Sequence, residues 1–123
     1  MNKKYDENNI VLNKSFDFAL DIIELYKFLK CKNEFVISKQ LLRSGTSIGA
    51  NIEEANAAQT KKDFATKMAL ASKEARETRY WLRLLSKSNL IDYDYKNYLN
   101  KIDELIRIIT AIVKTAQSNL SKH

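Results

Sequence analysis

The chain has 123 residues and a formal net charge of +6, with 45% of its residues apolar and 29% charged, the composition of one globular domain rather than a disordered chain. It holds no proline and two glycines, where average usage gives roughly six and about nine. Sandwiches, barrels and dinucleotide-binding folds need turn residues at every connection, so the fold class left is all-α with few connections. Apolar runs of a few residues fall far short of the ~18 needed to span a bilayer, so no membrane partner is expected. Cys31 is the one cysteine, which excludes an intrachain disulfide and a cysteine-based metal cluster. The one histidine, His123, is the last residue. Acid–base and metal sites draw most on His and Cys, so a non-enzyme without cofactor or metal is expected. The polar opening, without a leader pattern, makes a cytoplasmic location the expectation.

Met1–Asn9 reads as a flexible arm ahead of a single domain over 10–123. The first helix is predicted from Asn13 or Ser15 to Lys30. Phe16, Ala19, Leu20, Ile23 and Tyr26 recur at three and four, and Phe18, Ile22, Leu25 and Leu29 form a second row. Only Asp17, Asp21 and Glu24 make a polar stripe. A helix this apolar is buried on more than one side, against a core and against a second subunit, with Phe18 and Ile22 assigned to the subunit contact.

After a polar connection, Lys30–Glu34, the second helix begins near Phe35–Ser38 and runs to about Ala57. Its apolar row is Ile37, Leu41, Ile48, Ile52 and Ala55. Both glycines, Gly45 and Gly49, fall inside it, where each costs about 1 kcal/mol relative to Ala. Two readings stand: a kink, or close approach of a neighbouring helix where a Cβ would clash. Asn51 and Glu54 have capping-box spacing, so the helix could restart near Gly49.

Thr60 with Asp63 marks the start of the third helix, which runs to about Lys87 and ends at Ser88-Asn89. Its core row is Phe64, Met68, Ala71, Ala75, Thr78, Leu82 and Leu85, small at its centre, so a neighbour approaches closely there. Asp92 or Asp94 caps the fourth helix. Its row is Tyr98, Ile102, Leu105, Ile109, Ile112 and Ala116. Four helices with short connections predict an antiparallel up-down bundle.

The basic residues are unevenly placed. The third helix carries eight cations against Asp63, Glu74 and Glu77. Lys62, Lys73, Arg76, Arg79, Arg83 and Lys87 share one face, with Tyr80 among them. One reading is a solvated face with local pairs to Glu74 and Glu77. The other is a polyanion site, since Lys61 and Lys62 oppose the macrodipole and arginine grips phosphate bidentately. Leu70, Trp81 and Leu84 lie off both the core row and the basic face. They form the second part of a predicted subunit contact. The carboxylates Asp17, Asp21, Glu24, Glu53 and Glu54 lack the Glu-x-x-His pattern of di-metal bundles. The acidic stripe of the first helix is expected to pair with cations of a neighbour.

The segment from Leu41 to Ala55 resembles the motif of the four-helix-bundle proteins encoded in 23S rRNA intervening sequences. Arg43, Ser47, Ile48, Ala50, Asn51, Ile52 and Glu54 match it. Lys61-Lys62-Asp63-Phe64 and Glu77 with Tyr80-Trp81-Leu82 are also similar, and the resemblance runs from the first helix to the fourth. Some of these proteins are called S23 ribosomal proteins. The resemblance implies a four-helix bundle assembled as a homopentamer, and it favours a kink at Gly49. It further implies kinship with the accessory variability determinants of diversity-generating retroelements, whose basic pentamers engage a reverse transcriptase and nucleic acid. The function expected is RNA or DNA binding, RNA first, through Lys62, Lys73, Arg76, Arg79, Tyr80, Arg83 and Lys87. The alternative is a protein–protein assembly or scaffold subunit without a nucleic-acid ligand.

Overall fold

The computed structural model describes residues 3–121, with side chains from Ile10 to Ser121. Four helices occupy them, α1 (Lys3–Cys31), α2 (Ile37–Asn56), α3 (Lys61–Ser88) and α4 (Lys96–Ser121), and no strand occurs among the described residues. α1 starts well ahead of the predicted Asn13 or Ser15. The expected arm, Met1–Asn9, carries no described side chain, and His123 also lies outside the described residues.

Local chemistry sets the helix ends. α1 stops where Asn33 takes a left-handed φ of 64°. The Glu34 carboxylate then accepts the N–H groups of Val36, Ile37 and Ser38 at 3.1, 3.1 and 2.6 Å. The Ser38 hydroxyl donates back to the Glu34 carbonyl at 2.8 Å. Three of the four orphan donors of α2 are thereby satisfied, with a negative charge on the positive end of its dipole. Glu34 is therefore the cap of α2 as well as part of a polar connection. Thr60 accepts from the Asp63 N–H at 3.0 Å, as its spacing predicts. Asn89, at φ 57°, closes α3. Of the two candidate caps of α4, Asp94 accepts the Lys96 N–H at 3.0 Å.

One core joins all four helices. It takes Val11, Leu25 and Leu29 from α1, Leu41, Ile48 and Ile52 from α2, Met68, Leu82 and Leu85 from α3, and Ile102, Leu105 and Ile109 from α4. Of the two apolar rows of α1, the buried one is the row that holds the two residues assigned to a subunit contact. Phe18 and Ile22, assigned to a subunit contact, are 1% and 0% exposed within the single chain. Phe16 and Leu20, from the other row, are 61% and 50% exposed, and Ile23 is exposed beside them.

The small centre of α3 does admit a neighbour. Ala71, Ala75 and Thr78 are buried, and the hydroxyls of Thr78 and Ser44 share a hydrogen bond of 2.9 Å between α3 and α2. α2 runs unbroken through both glycines, and Asn51 donates to the Ser47 carbonyl at 2.9 Å instead of capping a restart. A Cβ on Gly45 would lie 2.9 Å from Ile22 Cγ2, and one on Gly49 3.4 Å from Ser15 Oγ. Close approach of α1 therefore explains Gly45.

Residue numbers run in opposite senses across each contact. Gly45 and Gly49 of α2 meet Ile22 and Ser15 of α1. Arg43 and Glu54 of α2 pair with Glu74 and Lys67 of α3. Lys14 and Asp21 of α1 pair with Glu104 and Lys101 of α4. Asp21 thus finds its cation within the chain, and Glu24 pairs with Lys27 of its own helix; neither requires the neighbouring subunit expected for the acidic stripe.

Candidate nucleic-acid interface

α3 has two chemically opposite flanks. On the α2 side, Arg43 bridges Glu74 at 3.2 Å and Glu77 at 2.5 Å, and the Trp81 indole N–H donates to Glu77 at 3.2 Å. The Arg43 hydrogen bond holds the Glu77 carboxyl below the ordinary glutamate value, and the two carboxylates push the Arg43 guanidinium up. Glu74 and Glu77 are therefore bonded by Arg43, and Lys73 of their own helix adds only a weaker charge effect on Glu77. Of the predicted contact residues on α3, Leu70 is exposed and Trp81 and Leu84 are half-buried. They remain available at the surface, whereas Phe18 and Ile22 do not.

The α4 side carries the cations. Lys62, Lys73, Arg76, Arg79, Tyr80, Arg83 and Lys87 are all exposed. From Lys73 to Lys87 the stripe covers about 21 Å at 1.5 Å per residue. Two of its arginines also hold the fold: the Arg79 Nε donates to Asp103 at 2.7 Å, and Arg76 donates to Thr110 at 3.3 Å. Among the described residues, Lys62, Arg83 and Lys87 make no ion pair. The exposed Tyr80 ring meets Trp81 edge-on, with centroids 5.1 Å apart.

Those two contacts to α4 add residues that the sequence reading missed. Asp103, Arg107, Thr110 and Lys114 recur at four, three and four, so they share one face of α4. Arg107 and Lys114 are exposed beside the α3 stripe. The combined surface sets Lys62, Lys73, Arg76, Arg79, Arg83, Lys87, Arg107 and Lys114 against one carboxylate, Asp103. The missed signal was a pair of basic residues seven apart on the polar side of the fourth helix. Nothing in the linear sequence says which α3 face that side adjoins.

The carboxylates of α1 line a separate cavity of about 170 Å³ between α1 and α4, with Lys14, Asp17, Asp21, Lys101 and Glu104 in its wall. Lys14 pairs there with Glu104, and Lys101 with Asp21. Among the described residues no three His, Cys, Asp or Glu side chains converge on a metal position. Nor is any helix long and apolar enough to cross a membrane.

The family model described as 23S rRNA-intervening sequence protein matches residues 7–111. Among solved structures, the chain is similar to a protein of unknown function from the S23 ribosomal protein family of Bacteroides thetaiotaomicron. The two are 48% identical with a TM-score of 0.83, over 88% of this chain and 98% of that one. The comparison with curated proteins finds no match.

Proposed function

The chain belongs to the 23S rRNA-intervening sequence protein family, and from that membership and its surface we propose that it is a non-enzymatic, oligomeric protein that binds RNA along the α3–α4 face. The observation that carries this reading is the sorting of charge around α3. The acids of its middle, Glu74 and Glu77, are held by Arg43 on one flank, and eight cations of α3 and α4 line the other with Asp103 alone among them. Cations this concentrated repel one another and are stabilised by a polyanion. Phosphate contacts fix position without reading sequence, and Tyr80 supplies a ring on which an unpaired base stacks.

The same reading takes the four helices as an antiparallel up-down bundle, supported by contacts whose residue numbers run oppositely. It takes the assembly as a homopentamer. The exposed strip of Phe16, Leu20 and Ile23 on α1 and the flank of Leu70, Trp81 and Leu84 on α3 are different surfaces. A contact between unlike surfaces of identical subunits is head-to-tail, and such contacts close into a ring when the rotation from one subunit to the next divides a full turn.

The test is binding of labelled oligouridine by anisotropy over a salt series, with sedimentation of the same sample. Affinity falls with salt, by roughly 0.7 in log–log slope for each phosphate contacted on a single strand, and the protein sediments as a pentamer. Absence of saturable binding, or binding indifferent to salt, refutes the RNA reading.

A further inference from the structure

One group on the basic face does not suit a surface that only grips phosphate. Asp103 of α4 is the single acid among the cations there, and it is bonded to Arg79, between Arg76 and Arg83 of the same row. A carboxylate at that place repels the phosphates that the arginines attract. Joining α3 to α4 does not require it. Arg76, one turn earlier, makes the same crossing to α4 through a neutral hydroxyl, that of Thr110 at 3.3 Å.

The geometry leaves the carboxylate half engaged. Arg79 Nε donates to Oδ1 at 2.7 Å, and among the described residues no hydrogen bond reaches Oδ2. Both side chains of the pair are 44% exposed, so a ligand can reach the carboxylate from solvent. An ionised aspartate only accepts hydrogen bonds. What it can take from a bound strand is therefore a donor that lies among the phosphates.

Two parts of a nucleotide carry donors, the base and the ribose. Tyr80 follows Arg79 and projects about 100° further round α3, so a base stacked on its ring is turned away from the line of Arg76, Arg79 and Arg83. The sugar joins one phosphate to the next and stays on that line. Building on the RNA reading above, we propose that Asp103, oriented by Arg79, accepts the ribose 2′-hydroxyl of a strand whose phosphates lie on the neighbouring arginines. The residue thereby distinguishes RNA from DNA, which lacks that donor.

The test is anisotropy with three labelled strands of equal length: oligouridine, oligodeoxyuridine and 2′-O-methyl oligouridine. Their phosphates and bases are the same, so their salt slopes coincide and a difference in affinity belongs to the 2′ position. Oligouridine is expected to bind about threefold to tenfold tighter than either of the others, the worth of one hydrogen bond. Asp103→Ala removes that preference, and oligodeoxyuridine binds the variant tighter than the unaltered protein, because a charge that repels its phosphates is gone. The methylated strand needs no variant, so it decides the matter even if Asp103→Ala loosens the packing of α3 on α4. Equal affinity of the unaltered protein for oligouridine and oligodeoxyuridine overturns the proposal while leaving RNA binding in place. A methylated strand that binds as well as oligouridine, or a preference that survives Asp103→Ala, also overturns it. Failure of all three strands to bind defeats the RNA reading itself, and this inference with it.

Discussion

Gly45 of α2 and Ile22 of α1 approach so closely that a Cβ on the glycine would fall 2.9 Å from Ile22 Cγ2 and 3.0 Å from Cγ1. Ile22 is fully buried and β-branched, so its methyl groups cannot swing aside at little cost. Gly49 is different, because its Cβ would meet Ser15 Oγ at 3.4 Å, near ordinary contact.

The two glycines therefore respond oppositely to alanine. Gly45→Ala gains about 1 kcal/mol of helix propensity but incurs overpacking of about 1–3 kcal/mol, so it destabilises on balance. Gly49→Ala retains most of the propensity gain and is neutral or stabilising. Urea melts of both variants measure the difference. Equal effects would show that Ile22 does not set the spacing of α1 and α2.

A second contrast lies within α1. Ile22→Ala removes a fully buried side chain and costs about 2–5 kcal/mol of stability. Leu20→Glu changes a half-exposed side chain on the outer strip, so melting of the subunit is expected to change little. Sedimentation should instead show the oligomer dissociating, because a glutamate set into an apolar contact is desolvated without a partner. A Leu20→Glu variant that stays assembled removes this strip from the subunit contact.

That contrast shows what was legible in the residues. The cap at Thr60 and the apolar rows of α2, α3 and α4 could be read directly, whereas the same spacing at Asn51 and Glu54 lies inside an unbroken helix. α1 offered two rows of similar hydrophobicity, and two residues of the row that packs into the chain's own core, Phe18 and Ile22, were given to a subunit contact. A signal did exist: Val11, Ser15, Phe18, Ile22, Leu25 and Leu29 continue at four and three along the helix, whereas the row from Phe16 ends at Tyr26. Length of register marks a core face better than local bulk. Glu34 escaped notice because a glutamate reaching over several backbone N–H groups does not follow the usual cap spacing. Arg107 and Lys114 join the basic face only through the pairing of α4 with α3, which no local pattern encodes.

Trp81 is the one tryptophan of the chain, and its indole N–H donates to Glu77 at 3.2 Å. Its fluorescence therefore reports on that carboxylate. Arg43 holds the Glu77 carboxyl below its ordinary value of 4.5. A carboxyl lowered on folding adds stability above its unfolded value and loses that contribution as the pH falls through its folded one. An acid transition in Trp81 emission with its midpoint below 4.5 is expected, accompanied by loss of stability over the same range. Glu77→Gln should abolish the emission change and that part of the pH dependence. An unaltered transition in the variant would show that another group is being read.

The basic face makes its own division between cations that hold the fold and cations that are free to hold phosphate. Arg79 is tied to Asp103 and Arg76 to Thr110, so their loss touches the α3–α4 packing as well as any ligand. The Arg79 pair is exposed on both sides, so Arg79→Gln costs only about 0.2–1 kcal/mol of stability. Arg83 and Lys87 are exposed at the C-terminal end of the stripe and pair with no acid among the described residues. Changing both to Gln should leave melting and sedimentation unchanged, because Gln is close to both in helix propensity. Oligouridine affinity should drop, and the log–log salt slope should flatten by roughly 1.4, two contacts at about 0.7 each. The drop should be similar for oligoadenosine, since phosphate contacts carry no base information. Arg107→Gln with Lys114→Gln tests whether α4 belongs to the same surface. If it does, this pair flattens the slope by a similar amount. If the α3 pair lowers affinity and the α4 pair does not, the strand follows α3 alone. If neither pair changes the slope while both variants remain folded and assembled, the RNA contacts lie elsewhere on the molecule.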